Sequence, residues 1–254
     1  MANAHVFDDV DAAMMIHPDT KNGLGGRTVA LNPLKFEFFG VNTHGCSPQH
    51  GKSALDAAVL TYNAISMMRQ YVLPNTYIHG IIRNGGEAAN VIPAYASMEY
   101  YFRGETMAYV KELSQKAIQC VEGACAATGC TYKVSTYECP YDDCIINYTL
   151  ADALKEEYVA LGRTQVEPVD EVPCGSSDVG SVSYCCPTLH GYIKIADENV
   201  NGHSKEMACA TISEAGTQAL RDGAIALSNL ARRLIVEDGL LDQAKAELQK
   251  NISK

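Results

Sequence analysis

The residues in this sequence best suited to chemistry are its seven histidines. A neutral imidazole binds metals, and it gains and loses protons near neutral pH. His17 closes the apolar run Val10-Asp11-Ala12-Ala13-Met14-Met15-Ile16, just before Pro18. In α/β sheets ligands collect at the carboxyl ends of strands, so a site residue is expected there. His203 follows Asn201-Gly202 in a loop that leads into a helix, and His44 lies in the loop Thr43-His44-Gly45-Cys46-Ser47-Pro48 between a strand and a helix. Taken singly, each also reads as a surface, capping or structural histidine. His5, His50, His79 and His190 fit no pattern of spacing.

Other chemistries lack their motifs. There is no Gly-x-Ser-x-Gly elbow, phosphate loop or His-Glu-x-x-His, and Gly23 to Gly26 is too short for a dinucleotide fingerprint. Asp142-Asp143 reads as a solvated loop pair. The ten cysteines include no Cys-x-x-Cys. Cys120, Cys125 and Cys130 fall five apart in a predicted helix, so each is turned ~140° from the last. Cys185 and Cys186 are adjacent and do not easily chelate one ion together. The expectation is reduced, mostly buried thiols, which argues against a thiol-based metal or redox module.

The elements that must carry these residues follow from periodicity. The 254 residues are 47% hydrophobic and 20% charged, enough for a real core, and the formal net charge is −10. An acidic chain without a basic block does not suit nucleic acid. No apolar run approaches the ~18–20 residues of a membrane span, and the start has no basic or apolar leader, so a cytoplasmic location and no membrane partner are expected. Residues 10–17 form a short buried segment, and residues 27–31 are a candidate strand. Strands are predicted over 35–42, 77–83, 94–103 and 131–136. Helices are predicted over 53–71 (stripe Leu55, Val59, Tyr62, Ile65, Met68) and 107–128 (stripe Val110, Leu113, Ala117, Val121, Ala124). Their order, β-α-β-β-α-β, is the split ferredoxin-like motif. Beyond it come a helix over 149–161, a strand over 191–195, one long helix over 204–236 with Ile212, Ala215, Ala219 and Leu230 inward, and a last amphipathic helix. The fold class is therefore α/β (α+β): a ferredoxin-like module, 34–139, inserted between two pieces of an α/β domain, 1–33 and 140–254.

Two stretches, His79-Gly80-Ile81-Ile82-Arg83-Asn84-Gly85-Gly86-Glu87-Ala88-Ala89-Asn90-Val91-Ile92-Pro93 and Thr43-His44-Gly45-Cys46-Ser47-Pro48-Gln49-His50-Gly51-Lys52-Ser53, resemble the lid signature of the aminoacylase, dipeptidase and carboxypeptidase metalloenzymes. Val6 to Pro18, Gly175 to Ser183 and His203-Ser204 resemble the branch of that family containing the p-aminobenzoyl-glutamate hydrolases. The resemblance runs over essentially the whole chain. It implies a partial zinc-peptidase-like catalytic domain with an inserted lid that mediates dimerisation. It implies that His17 and His203 are metal ligands and that His44 is the catalytic lid histidine steadying an oxyanion. Asn90 and Arg103 would hold the substrate's carbonyl and carboxylate, and Asp178 would support the metal centre. The implied cofactor is a divalent metal, zinc or manganese. The implied reaction is hydrolysis of an N-acyl or aminoacyl amide beside a carboxylate, with p-aminobenzoyl-glutamate or a dipeptide as substrate. The family's Gly-His-x-Cys-Gly-His-type motif and its Glu-Glu pair, one member of which is the general base, do not occur in these residues. The expectation is therefore a truncated chain or one half of a split enzyme. The alternative is a catalytically incomplete fragment that still pairs, as a homodimer through the lid or with a related polypeptide. An unpaired sheet edge in the outer domain would add a tendency to self-associate.

Overall fold

The computed structural model describes residues 2–173 and 175–253. Its elements run β1 (Ala13–Asp19), β2 (Ala30–Phe39), β3 (Thr43–His44), α1 (Ala54–Met68), β4 (Tyr77–Asn84), β5 (Val91–Ile92), β6 (Tyr95–Gly104), α2 (Met107–Thr128), β7 (Thr131–Thr136), α3 (Tyr148–Ala160), α4 (Val179–Ser183), β8 (Thr188–Lys194), α5 (Lys205–Thr211), α6 (Glu214–Val236) and α7 (Leu240–Ile252). They group into two compact units, Met1–Thr28 with Cys144–Lys254, and Val29–Asp143.

The Val29–Asp143 unit is an antiparallel sheet, ordered β4-β6-β2-β7, with α1 and α2 packed against it. β6 alternates as its sequence demands: Ala96, Met98, Tyr100 and Phe102 are buried in the core with Phe36 and Phe38 from β2. Each such buried phenylalanine contributes ~1.5–3 kcal/mol over its exposed state. The expected strands 27–31 and 35–42 are a single strand, β2, running through Pro33. Pro33 is tolerated because its nitrogen points to the same side as that of Leu31, which donates to the carbonyl of Tyr141, and β7 pairs only from Leu34 onward.

Both helices begin at capping hydroxyls: Ser53 Oγ accepts from the Asp56 N–H, and Thr106 Oγ1 from the Tyr109 N–H. α2 ends at Gly129, which takes a left-handed φ of 69°. Cys130 therefore lies beyond the helix. The α2 stripe is buried as expected. α1 differs: it packs with Ala54, Ala57, Ala58, Thr61 and Ile65, while Val59 and Met67 face outward at 41% and 72% exposure. Small residues let this helix lie close to the sheet, Ile65 is buried with them, and Tyr62 and Met68 pack against the same core.

The other unit holds β1 and β8, paired in parallel, with α3, α6 and α7 contributing to a core of Leu150, Leu154, Tyr158, Ala226, Leu230 and Ala244. The expected helix over 204–236 is broken in two. Ser213 accepts from the Gly216 N–H and starts α6 afresh. Ile212 falls in the break and is 85% exposed, so it does not join the buried stripe of Gly216, Ala219, Gly223, Ala226, Leu230 and Leu234.

The described cysteines are not mostly buried: Cys125, Cys130 and Cys186 are buried, whereas Cys46, Cys139, Cys185 and Cys209 are exposed. Cys174 lies outside the described residues. Among the described residues no helix is long and apolar enough to cross a membrane.

Candidate functional site

Parallel pairing of β1 with β8 sets Met15 opposite His190 and His17 opposite Tyr192. The two-residue period of a strand then puts His17, His190 and Tyr192 on one face. Their rings cluster: His17 lies 6.0 Å from His190 and 5.9 Å from Tyr192, edge to face, and His190 stacks on Tyr192 at 5.1 Å. His17 Nδ1 donates to the carbonyl of Pro18 at 2.8 Å. The proton is thereby assigned to Nδ1, and the exposed ring keeps a lone pair on Nε2, the form in which an imidazole binds a metal.

The Nε2 of His190 is buried and has no hydrogen-bond partner among the described residues. Burial pushes its pKa below the usual histidine range, the neighbouring His17 pushes the same way, and the Asp178 carboxylate opposes them. Asp178 stands at the start of α4 without capping it. The structure thus brings Asp178 within electrostatic reach of His190, which sits beside His17. His190 and Tyr192 were not singled out by the sequence. They are two apart on a strand, and only the pairing with β1 gives that spacing a meaning. The ring cluster does not include His203. His203 stands exposed at a left-handed φ of 56°, just before Ser204, the cap of α5.

A catalytic zinc site uses about three protein donors and a water. His17 has the tautomer for one. Among the described residues, no group of three or more His, Cys, Asp or Glu side chains is arranged to hold a metal ion. The described residues therefore do not assemble a full donor set. In the same unit a cavity of about 780 Å³ is lined by Asp19, Lys21, Arg27, Glu167, Asp170 and Tyr192, among others. It falls within the ~300–1,000 Å³ of small-molecule sites. Tyr192 belongs to both the cavity wall and the histidine cluster.

In the Val29–Asp143 unit the short strands β3 and β5 pair His44 with Val91, and the Gly45 N–H donates to the Asn90 carbonyl at 2.7 Å. His44 and Asn90, distant in sequence, are thus neighbours and both exposed. Gly45 permits the approach: an added Cβ would lie 3.2 Å from the Asn90 oxygen. His44 Nδ1 accepts from the Cys46 N–H at 3.2 Å. That assigns the proton to Nε2 and makes the outer nitrogen a donor.

Arg103 lies on β6, on the sheet face opposite Phe102 and Tyr100, with its guanidinium 5.4 Å from the centre of the Tyr101 ring. The Tyr101 hydroxyl donates to Glu138 at 2.6 Å, which raises the phenol's pKa. His79, opposite Tyr101 on β4, packs edge-on against the same ring at 5.9 Å.

Residues 31–128 match the family described as the peptidase dimerisation domain, M20_dimer. The chain is 34% identical to the Xaa-Arg dipeptidase of Mus musculus over 98% of its own length and 58% of that protein. It is 32% identical to one of the polypeptides of the p-aminobenzoyl-glutamate hydrolase of Escherichia coli strain K12, over 65% of this chain and 35% of that one. Among solved structures, an aminobenzoyl-glutamate utilization protein from Klebsiella pneumoniae superposes with a TM-score of 0.66 at 24% identity, covering 90% of this chain and 57% of the other. The chain therefore spans well under two thirds of the length of these relatives.

Proposed function

The chain belongs to the M20 peptidase family, and we propose that it takes part in hydrolysing an amide next to a carboxylate, in an acyl-amino acid such as p-aminobenzoyl-glutamate or in a dipeptide. M20 peptidases are generally metal-dependent. In this reading His17 and His203 are two donors to a divalent ion, zinc or manganese, and polypeptide outside these 254 residues supplies the rest. Asp178 supports the same centre through the His190 neighbourhood.

The observation that carries the reading is the β3–β5 ladder, which sets His44 opposite Val91 and bonds the Gly45 N–H to the Asn90 carbonyl. The Cys46 N–H holds His44 as the Nε2–H tautomer, so the imidazole offers a neutral donor to the negative oxygen that develops as the amide is attacked. In this reading Asn90, whose carbonyl accepts from the Gly45 N–H, adds its side-chain amide as a second donor. Arg103, held over Tyr101, offers a planar fork for the substrate carboxylate.

The test is hydrolysis of p-aminobenzoyl-glutamate by the metal-loaded protein, with the polypeptide that completes the donor set present, and by its His44→Ala variant. Loss of one oxyanion donor costs about 10²–10³ in kcat, and a drop of that size is expected. Equal rates for the two proteins overturn the role of His44. No turnover with metal bound overturns the proposed hydrolysis.

A second reading, dimerisation, has its own observation. Among the described residues β4 is an edge strand, paired only with β6. The unit also exposes Met67, Tyr71, Leu73, Tyr77 and Ile81, at 72%, 79%, 60%, 47% and 53%. An open edge with apolar neighbours suits strand addition by a second copy. In this reading the unit pairs whether or not the chain is catalytic. Sedimentation of the chain as a dimer, and of Met67→Asp/Ile81→Lys as a monomer, is the expected result.

A further inference from the structure

The Arg103 face of the sheet holds a residue to which the proposed function gives no part. Antiparallel pairing sets Tyr77 opposite Arg103 and His79 opposite Tyr101. His79 and Arg103 are therefore diagonal neighbours on one face, which brings long side chains within reach of a shared ligand. The Tyr101 ring sits between them, 5.4 Å from the guanidinium carbon and 5.9 Å from the imidazole. The phenol is anchored by Glu138 and packs against Tyr137 at 5.7 Å, so the platform is fixed from its far end. Partial burial lowers the pKa of His79, and the charges of Arg103 and Arg69 add to that effect. A neutral imidazole can stand beside a guanidinium without repulsion and still present an N–H.

We infer that His79 is a specificity-determining residue. With Arg103 it forms a two-point donor for a substrate carboxylate, and the Tyr101 ring holds the two donors apart. This rests on the reading that Arg103 receives the carboxylate. A lone guanidinium accepts any anion of suitable shape. A second donor at a set distance selects a planar carboxylate approaching along the sheet face, next to which the amide must lie. His79 is exposed, so a ligand reaches it directly.

The experiment is calorimetric titration of the full chain with p-aminobenzoyl-glutamate as probe, with the His79 ring followed by NMR in the same titration. A hydrogen bond to a charged group is worth enough that His79→Leu should weaken binding by about 10- to 100-fold. His79→Gln, which keeps an N–H donor, should recover most of that loss. The His79 ring resonance should shift with saturation. If Arg103→Gln weakens binding while His79→Leu leaves it unchanged, the inference on His79 is overturned and the Arg103 reading stands. If Arg103→Gln leaves binding unchanged, the carboxylate lies elsewhere and both fail. Absence of saturable binding overturns both. Circular dichroism of each variant establishes that the sheet is intact.

Discussion

Removing the Asp222 carboxylate should cost the Cys144–Lys254 portion of the chain about 3 kcal/mol, because it strands the guanidinium of Arg163. Arg163 donates through Nε and Nη2 to Asp222 Oδ2, both at 2.9 Å, and through Nη1 to Asn22 Oδ1 at 3.0 Å. The two side chains are only 16% and 12% exposed. Breaking one partner of a buried pair costs ~3–5 kcal/mol, and the residual exposure here places the expectation at the low end. With a slope of ~2 kcal/mol/M, Asp222→Ala should lower the urea midpoint of this unit by about 1–2 M. Asp222→Asn keeps the shape but not the charge and should fall between. Arg163→Met/Asp222→Leu replaces the pair by apolar groups and should regain much of the loss. The chain has no tryptophan, so helical circular dichroism and tyrosine fluorescence are the probes. The same network reaches the site. Asn22 also accepts from the Lys194 N–H at 3.1 Å, and the neighbouring Gly23 exchanges backbone hydrogen bonds with Tyr192 of the histidine cluster. A loss under about 1 kcal/mol for Asp222→Ala, or a double variant no more stable than the single one, refutes this reasoning.

Gly80→Ala should destabilise the Val29–Asp143 unit by ~1–3 kcal/mol in urea denaturation, as overpacking does, because a Cβ there would meet the Tyr100 ring and the Glu99 carbonyl oxygen at 2.5 and 2.6 Å. Tyr100→Phe should be neutral or stabilising in the same assay, since its hydroxyl is buried with no partner among the described residues and burial drives its pKa far up. In thiol titration at pH 8, the exposed Cys46, Cys139, Cys185 and Cys209 should react first. Cys125, whose thiol burial pushes up to about 11, should react only as the pH approaches that value or the unit unfolds, since the thiolate is the reacting form.

Periodicity carried much of the ferredoxin-like unit. The alternation of Ala96, Met98, Tyr100 and Phe102 and the α2 stripe were legible because each repeats the period of its own element and faces a single core. The α1 stripe was legible at Ile65, Tyr62 and Met68, which meet the core, but hydrophobicity alone favours Val59 over Ala57 and Ala58. A close helix–sheet contact selects small residues at its centre, and Val59 is left on the outer surface. The break at Ile212-Ser213 was missed for a related reason: Ser213 and Gly216 form a cap only when the chain turns there, and the apolar pattern runs on regardless. For the candidate site, sequence determined which residue types were present, His17, His44, Asn90, Arg103, Asp178 and His203. Tertiary structure alone decided their company. Strand pairing put His190 and Tyr192 beside His17, a two-residue ladder set Val91 opposite His44 and brought Asn90 against Gly45, and the register of β4 on β6 placed His79 across the Tyr101 ring from Arg103. Sequence periodicity records which face of its own element a residue occupies. The neighbour across a ladder is set by register, and register is fixed by the packing of the whole unit.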